Sequence, residues 1–479
     1  MVLTLGIDVG TQGTKVIAYD CDDGRQICQA SVKYGIMETT VPERAEQEPQ
    51  VWVDACFSAI TQVLKSVDPK DVKAVAVSGQ QHGLVPLDSD GRVIRPAKLW
   101  CDVESAKEAN ELSKKLGWTI VPGFTAPKIL WLKHNEPENY AQMERVLLPH
   151  DYINYVLTGE YAMECGDASG TGLLGADRNW DVKALHAIDE KLANMLPRLI
   201  GPGDAVGTLL GDVASALGLS DDVVVGPGSG DNMMSALGAG AVTEGVVVLS
   251  LGTSGTLFGC SSTPFLDPSG CVAPFCDATG NWLPLLCTMS CTGALEEVRE
   301  CFQSTHQELT KLAEKESPGC DGVNFLPYLS GERTPNWPHS SGSILGLSPG
   351  SMRPGLLYRA AMEGATFTLL AGLRRMQEMG FKPQELRVVG GGSKNELWRR
   401  IIADAFQIPL VFPKEPESAA LGAALQAGAI YHKIPTDEFV RQQGVPLEDT
   451  VLVPNPEVKD LYNNAFERHC RLGSSLFEN

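Results

Sequence analysis

A glycine-rich hairpin occurs twice in this chain, and the duplication restricts the fold more than any other feature. The N-terminus runs from apolar Val2 to Ile7 into Asp8-Val9-Gly10-Thr11-Gln12-Gly13-Thr14, then into a second strand-like run, Lys15 to Tyr19. Far downstream, Val246-Val247-Val248-Leu249-Ser250-Leu251 leads into Gly252-Thr253-Ser254-Gly255-Thr256 and apolar Leu257-Phe258. The offset from Gly10 to Gly252 is 242 residues, about half of the 479. It predicts two related domains, 1–242 and 243–479, each opening on such a hairpin. Glycines in a tight turn let backbone N–H groups and threonine hydroxyls converge on a phosphate with no Cβ in the way. Two facing hairpins can therefore grip a polyphosphate from both sides. Asp8 of the first copy corresponds to Ser250 of the second. A single carboxylate beside a phosphate loop suits Mg²⁺, which takes one or two carboxylates plus phosphate oxygens and keeps several waters.

Between the hairpins, residues 50–66 carry apolar positions at three-to-four spacing and precede a strand-like Val72 to Val77, an α/β alternation. That strand ends in Ser78-Gly79-Gln80-Gln81-His82-Gly83, a polar loop where open α/β sheets place ligands. His82 reads either as a ligand contact or as a loop histidine bonded to local backbone. Gly226-Pro227-Gly228-Ser229-Gly230-Asp231-Asn232 delivers an acid through three glycines, which fits a helix N-cap as well as a catalytic base. In the second half, Leu386 to Val389 leads into Gly390-Gly391-Gly392-Ser393-Lys394-Asn395 and a helical pattern through Phe406. This strand, turn and helix is neither GxGxxG nor a P-loop. Glu417 to Ala429 reads as a small-residue helix with a close-packing face.

Lys and Arg total 39 against 59 Asp and Glu, a net charge of −20. Such a field repels nucleic-acid backbones and anionic membranes. The 13 cysteines include no CxxC pair and read as reduced thiols of a cytosol-like compartment. Cys287 and Cys291, with Cys271 and Cys276 upstream, match no zinc spacing. With no basic leader and no run of ~18 apolar residues, the chain reads as neither secreted nor membrane-embedded, and a cytoplasmic location is expected.

Taken together, these residues resemble the FGGY carbohydrate kinases, and within them the bacterial-type xylulokinases. The resemblance runs from IDVGTQGTK at the N-terminus through SGQQHG (78–83), PGFTAPKILWL (122–132), LLPHDYINYVLTGEY (147–161) and GDNMMSALGAG (230–240). It continues through SLGTSG (250–255), FLPYLSGERTP (325–335), GGGSKNELWR (390–399) and ESAALGAAL (417–425). It implies an α/β fold of two ribonuclease-H-like (actin/hexokinase-type) domains with an interdomain cleft, sugar held mainly by the first and ATP by the second. It further implies Asp231 as the general base, Asp8 near Mg²⁺, and Gln81, His82, Asp231 and Asn232 at the sugar. Asp102 and Lys128 are weaker candidates with structural roles. Gly10, Thr11, Gln12, Gly252, Thr253 and Ser254 correspond to the phosphate loops, and Gly391, Gly392 and Asn395 to the adenosine site. The implied reaction is transfer of the ATP γ-phosphoryl group to O5 of D-xylulose. The alternatives are a kinase for another ketose or polyol, such as ribulose or glycerol, or a non-catalytic actin-fold sugar and ATP binder. The expected partner is a small-molecule sugar, with a homodimer by analogy. One departure stands out: the family commonly shows W-x-D-x-R, whereas this chain has Trp100-Cys101-Asp102-Val103-Glu104. Any salt bridge or sugar contact made by that Arg is then expected to be absent.

Overall fold

Strand Leu3–Val9 is buried almost throughout, the pattern of a central strand covered on both faces. The structure, a computed structural model, describes residues 1–415 and 418–478. Leu3–Val9 pairs antiparallel with Gly13–Asp20, which pairs antiparallel with Arg25–Lys33, and parallel on its other side with Val72–Gly79. The sheet continues through Val224–Val225 to Gly207–Thr208, and Ser229–Gly230 runs parallel beside the end of Val72–Gly79. The second half repeats this order. Val246–Leu251 lies between antiparallel Gly255–Gly259 and parallel Glu385–Val389, with Trp282–Thr288 and Ala273–Cys276 beyond one edge and Leu410–Val411 at the other.

The two hairpins differ by one residue. The first ladder closes at Val9–Thr14 and the second at Leu251–Gly255, so the turn shortens from four residues to three. Gly10 N–H folds back onto Gly13 O at 3.0 Å, and Gly252 N–H onto Ser254 O at 3.2 Å.

The halves are joined through small residues. Helix Ser418–His432 belongs to the second half of the chain, yet it lies on Leu3–Val9 and crosses helix Asp231–Gly238. Glu417, expected to open this helix, lies outside the described residues. A Cβ added at Gly238 would lie 1.8 Å from Ser418 O, one at Gly422 1.9 Å from Met234 O, and one at Gly6 1.9 Å from Ala420 O. Gln426 closes the seam: its Oε1 accepts the Gly228 N–H at 2.9 Å and its Nε2 donates to Gly228 O at 3.2 Å. The Ala- and Gly-rich sequence of this helix is therefore a close-packing face. All 13 cysteines are free thiols, and among the described residues no helix is long and apolar enough to cross a membrane.

Candidate active site

Three parallel strands of the first sheet end side by side, and their ends carry the polar residues singled out in the sequence. Asp8 is the penultimate residue of Leu3–Val9, Val72–Gly79 opens into Gln80–Gly83, and Ser229–Gly230 runs directly into Asp231. Asp8 and Ser229 flank Ser78 in register, and Ser78 Oγ donates to Asp8 Oδ1 at 2.9 Å. A cavity of about 870 Å³ opens between the halves, bringing together Asp8, Gln81, His82, Asp231 and Asn232 opposite Ser250, Ser254 and Arg333.

Asp231 is the first residue of its helix. Gly230 occupies the N-cap, so the carboxylate does not cap the helix from that position. Its Oδ1 accepts the Asn232 N–H at 2.8 Å and Asn232 Nδ2 at 3.0 Å; the same amide donates to Gln81 Oε1 at 2.7 Å. Gly230 permits this approach, since a Cβ there would lie 2.5 Å from Gln81 Cγ. Burial, then the charges of Asp8 and Asp167, push the Asp231 carboxyl up to about 7. A carboxylate with that affinity is matched to taking a proton near neutral pH.

His82 adopts a left-handed backbone, φ 64°. This conformation presents its carbonyl to Thr125 Oγ1 at 3.1 Å and Lys128 Nζ at 3.2 Å. Lys128 also donates to the carbonyls of Gly123 and Phe124, so one buried ammonium holds the loop in shape. Burial lowers the Lys128 pKa to about 7. The His82 ring lies 5.3 Å from the Phe124 ring and 5.4 Å from Phe275. It also packs over Gly170, where a Cβ would come within 2.2 Å of it. Burial first, then Lys128 and Arg333, hold its pKa far below the usual imidazole range, leaving it neutral. Its Nδ1 is buried without a protein partner, so the ring is not engaged with local backbone. Aromatic walls with a few converging polar groups are what a small-molecule pocket requires.

Asp102 and Glu104 lie behind this loop. Asp102 Oδ2 accepts the Ala45 N–H at 3.0 Å and Lys98 Nζ at 3.1 Å. Glu104 accepts both arms of Arg44, at 2.9 and 3.0 Å, and Lys98 Nζ at 2.5 Å. The bridge that an Arg at position 104 would make is absent, and Glu104 makes one of its own, with the guanidinium supplied by Arg44. Glu46, Asp102 and Glu104 place oxygens within 4.8 Å of one another, a set able to hold a cation. Lys98 Nζ fills that place, with Glu46 also at 3.1 Å. The same region steadies the first hairpin, where Trp100 Nε1 donates to Thr11 Oγ1 at 3.0 Å and Thr11 Oγ1 donates to Gln80 Oε1 at 3.0 Å.

Of the phosphate-loop and adenosine candidates, Ser254 lines the cavity; Gly10, Thr11, Gln12, Gly252 and Thr253 complete the two turns but are not in its wall. Gly252 O and Thr253 O accept the N–H groups of Thr292 and Cys291. Gly391, Gly392 and Asn395 lie outside the cavity, in the turn that follows Glu385–Val389. Gly392 packs against Leu251, Trp398 and Thr292, beside the second hairpin. The Asn395 side chain caps helix Glu396–Phe406 by accepting the Trp398 N–H at 3.1 Å, and it donates to Thr310 Oγ1 at 2.8 Å. Phe124, Phe275, Gly170 and Arg333 belong to the site without having been singled out in the sequence. Phe124 and Arg333 stand inside family strings, which was their only signal, while Gly170 and Phe275 carry none.

Comparison with known proteins matches residues 3–238 to the N-terminal domain, and 247–431 to the C-terminal domain, of the FGGY family of carbohydrate kinases. A xylulose kinase of Haemophilus influenzae is 37% identical, with 99% of this chain and 100% of that protein aligned. The crystal structure of a xyloylose kinase from Brucella ovis superposes with a TM-score of 0.93 at 33% identity, covering 99% of both chains. That of a gluconate kinase from Lactobacillus acidophilus gives 0.91 at 27% identity, covering 99% of this chain and 98% of the other. With two α/β domains of the actin/hexokinase kind meeting at one cleft, and family signatures across both, the chain belongs to the FGGY family of carbohydrate kinases, phosphotransferases that act on sugars.

Proposed function

We propose that this carbohydrate kinase transfers the γ-phosphoryl group of ATP to O5 of D-xylulose, with Asp231 as general base. The observation that carries the mechanism is the Asp231 carboxyl, raised to about 7 at the floor of the cleft and bonded through Asn232 to Gln81. The sugar hydroxyl lies against Asp231, which takes its proton as the new O–P bond forms and the bond to the ADP oxygen breaks. Phosphoryl transfer needs in-line positioning and charge neutralisation more than covalent chemistry. The aromatic pocket around His82, together with Gln81 and Asn232, orients the sugar, and the two hairpins border the phosphates.

The donor set fits a divalent cation: the Asp8 carboxylate faces the cleft, and its charge opposes ionisation of Asp231, an opposition that a cation would relieve. Mg²⁺ held by Asp8 would supply neutralisation of the phosphate oxygens. Gly391 and Gly392 border the adenosine side, and Asn395, its side chain engaged in the helix cap, contributes there through backbone.

The choice of sugar is supported by the xylulose kinase of H. influenzae, aligned along the whole of both chains. The fold alone does not select it, because the gluconate kinase of L. acidophilus shares that fold. The test is ADP release with Mg-ATP and D-xylulose, D-ribulose, L-ribulose, L-xylulose or glycerol, beside a control without sugar. D-Xylulose is expected to dominate, and Asp231→Asn to lower turnover about 10²- to 10⁴-fold with ATP binding retained. Preference for another sugar would reassign the substrate, and sugar-independent turnover would refute the mechanism.

A further inference from the structure

Arg333 stands in the string FLPYLSGERTP, and the roles above leave it unused. Among the described residues lining the cleft, it is the single Lys or Arg, set against Asp8, Asp181, Asp231 and Asp267. It is half-buried, and among the described residues its side chain makes no ion pair and no hydrogen bond. The adjacent Glu332 lies close enough for the two charges to attract, but it makes no salt bridge with Arg333. Glu332 Oε1 is turned into its own loop, accepting the N–H groups of Met289 at 2.8 Å, Arg333 at 2.7 Å and Thr334 at 3.2 Å. A partly desolvated guanidinium with no hydrogen-bonded acceptor is costly in a folded chain, and a ligand that supplies an acceptor relieves that cost.

The position of Arg333 indicates which part of the ligand it meets. The next residue, Thr334, donates its Oγ1 to Cys271 O at 3.4 Å and Cys287 O at 3.1 Å, which puts Arg333 beside the paired strands Ala273–Cys276 and Trp282–Thr288, at the end of the cavity where Phe275 meets His82 and Phe124. The phosphoryl-accepting hydroxyl must lie at Asp231. A ketopentose with O5 at Asp231 therefore directs its C1–C2 end toward His82 and Arg333. We propose that Arg333 is a specificity residue that donates from the second half of the chain to the C2 carbonyl of the bound ketose. A carbonyl oxygen only accepts and a guanidinium only donates, in a planar fork that matches an sp² oxygen. This inference rests on the ketose-kinase reading given above.

The test compares the full-length protein with Arg333→Met and Arg333→Lys, using Mg-ATP, D-xylulose as substrate and xylitol, its C2-reduced counterpart, as competitor. Arg333→Met is expected to lower kcat/KM for D-xylulose about 10- to 100-fold, mainly through KM, while the inhibition constant of xylitol changes by less than about threefold. Arg333→Lys, which keeps the charge and loses the fork, should fall between. Thermal unfolding and the KM for ATP should match the parent. Equal losses for ketose and polyol would overturn the proposal, because the cation would then serve a group common to both, such as the transferring phosphoryl. An Arg333→Met enzyme with parental kinetics would overturn it as well. A parent protein that fails to phosphorylate D-xylulose would instead refute the reading on which the proposal rests.

Discussion

Replacing Glu104 by Arg restores the residue of the W-x-D-x-R pattern, and here that restoration should destabilise the protein. The Glu104 carboxylate accepts Lys98 at 2.5 Å and both arms of Arg44 at 2.9 and 3.0 Å. The Lys98 side chain is 1% exposed and that of Glu104 11%. Removing one partner of a buried pair costs about 3–5 kcal/mol. Two features bring the cost of losing the charge, as in Glu104→Gln, to about 2–3 kcal/mol: Lys98 retains Glu46 and Asp102 at 3.1 Å, and Arg44 is 36% exposed, so its share is screened by solvent. A third cation at this position adds repulsion, so Glu104→Arg should cost about 3–5 kcal/mol. For a domain of this size, about 3 kcal/mol corresponds to a Tm lowered by about 6–12 °C. Scanning calorimetry and urea unfolding at neutral pH would measure both variants. The reversed pair, Arg44→Glu with Glu104→Arg, should recover at least about half of the loss, a coupling of about 1–3 kcal/mol. The reasoning is refuted if Glu104→Arg melts with the parent, or if the reversed pair melts as low as the two single changes summed.

Other expectations follow from the same geometry. Because Asp231 acts as a base only when ionised and its free-enzyme value is about 7, kcat/KM should fall tenfold per pH unit below that value and level off above it. Asp8→Asn removes one cause of the elevation and should move this limb to lower pH; an unmoved limb would disconnect the two carboxyls. The raised value also means that the folded state resists ionisation of Asp231. Asp231→Asn should therefore stabilise the protein above pH about 7, with the gain shrinking toward acid, as thermal melts across pH would show. Gly422→Ala puts a methyl 1.9 Å from Met234 O and should cost about 1–3 kcal/mol. Because the opposing helix carries Asp231, turnover should fall with stability, and a variant with parental Tm and kcat would contradict the packing described. Lys128→Met releases the carbonyls of His82, Gly123 and Phe124 and should raise the KM for sugar more than that for ATP in steady-state assays.

Much of the architecture was legible along the chain because repetition and periodicity report backbone directly. The offset between Gly10 and Gly252 predicts two related domains, each opening on a hairpin; the structure has both hairpins and adds that the sheets around them share one strand order, with a parallel neighbour beside each first strand. Asp8, Gln81, His82, Asp231 and Asn232 could be singled out because each stands at or just after the end of a strand, and parallel strands end on one edge of a sheet. What these residues are in chemical terms was decided only by tertiary structure. Asp231 fits a cap or a base in sequence; Gly230 at the N-cap and the nearby charges of Asp8 and Asp167 separate the two. His82 is neutral because two phenylalanines and a buried Lys128 surround it, and its ring has room because residue 170 is glycine. The bridge at Glu104 depends on Arg44, 60 residues away, and the seam between the halves on Gly238 meeting Ser418 across 180 positions. Local pattern carries backbone geometry and burial, whereas charge pairing, desolvation and the shape of a cleft are set by atoms adjacent in space and remote along the chain.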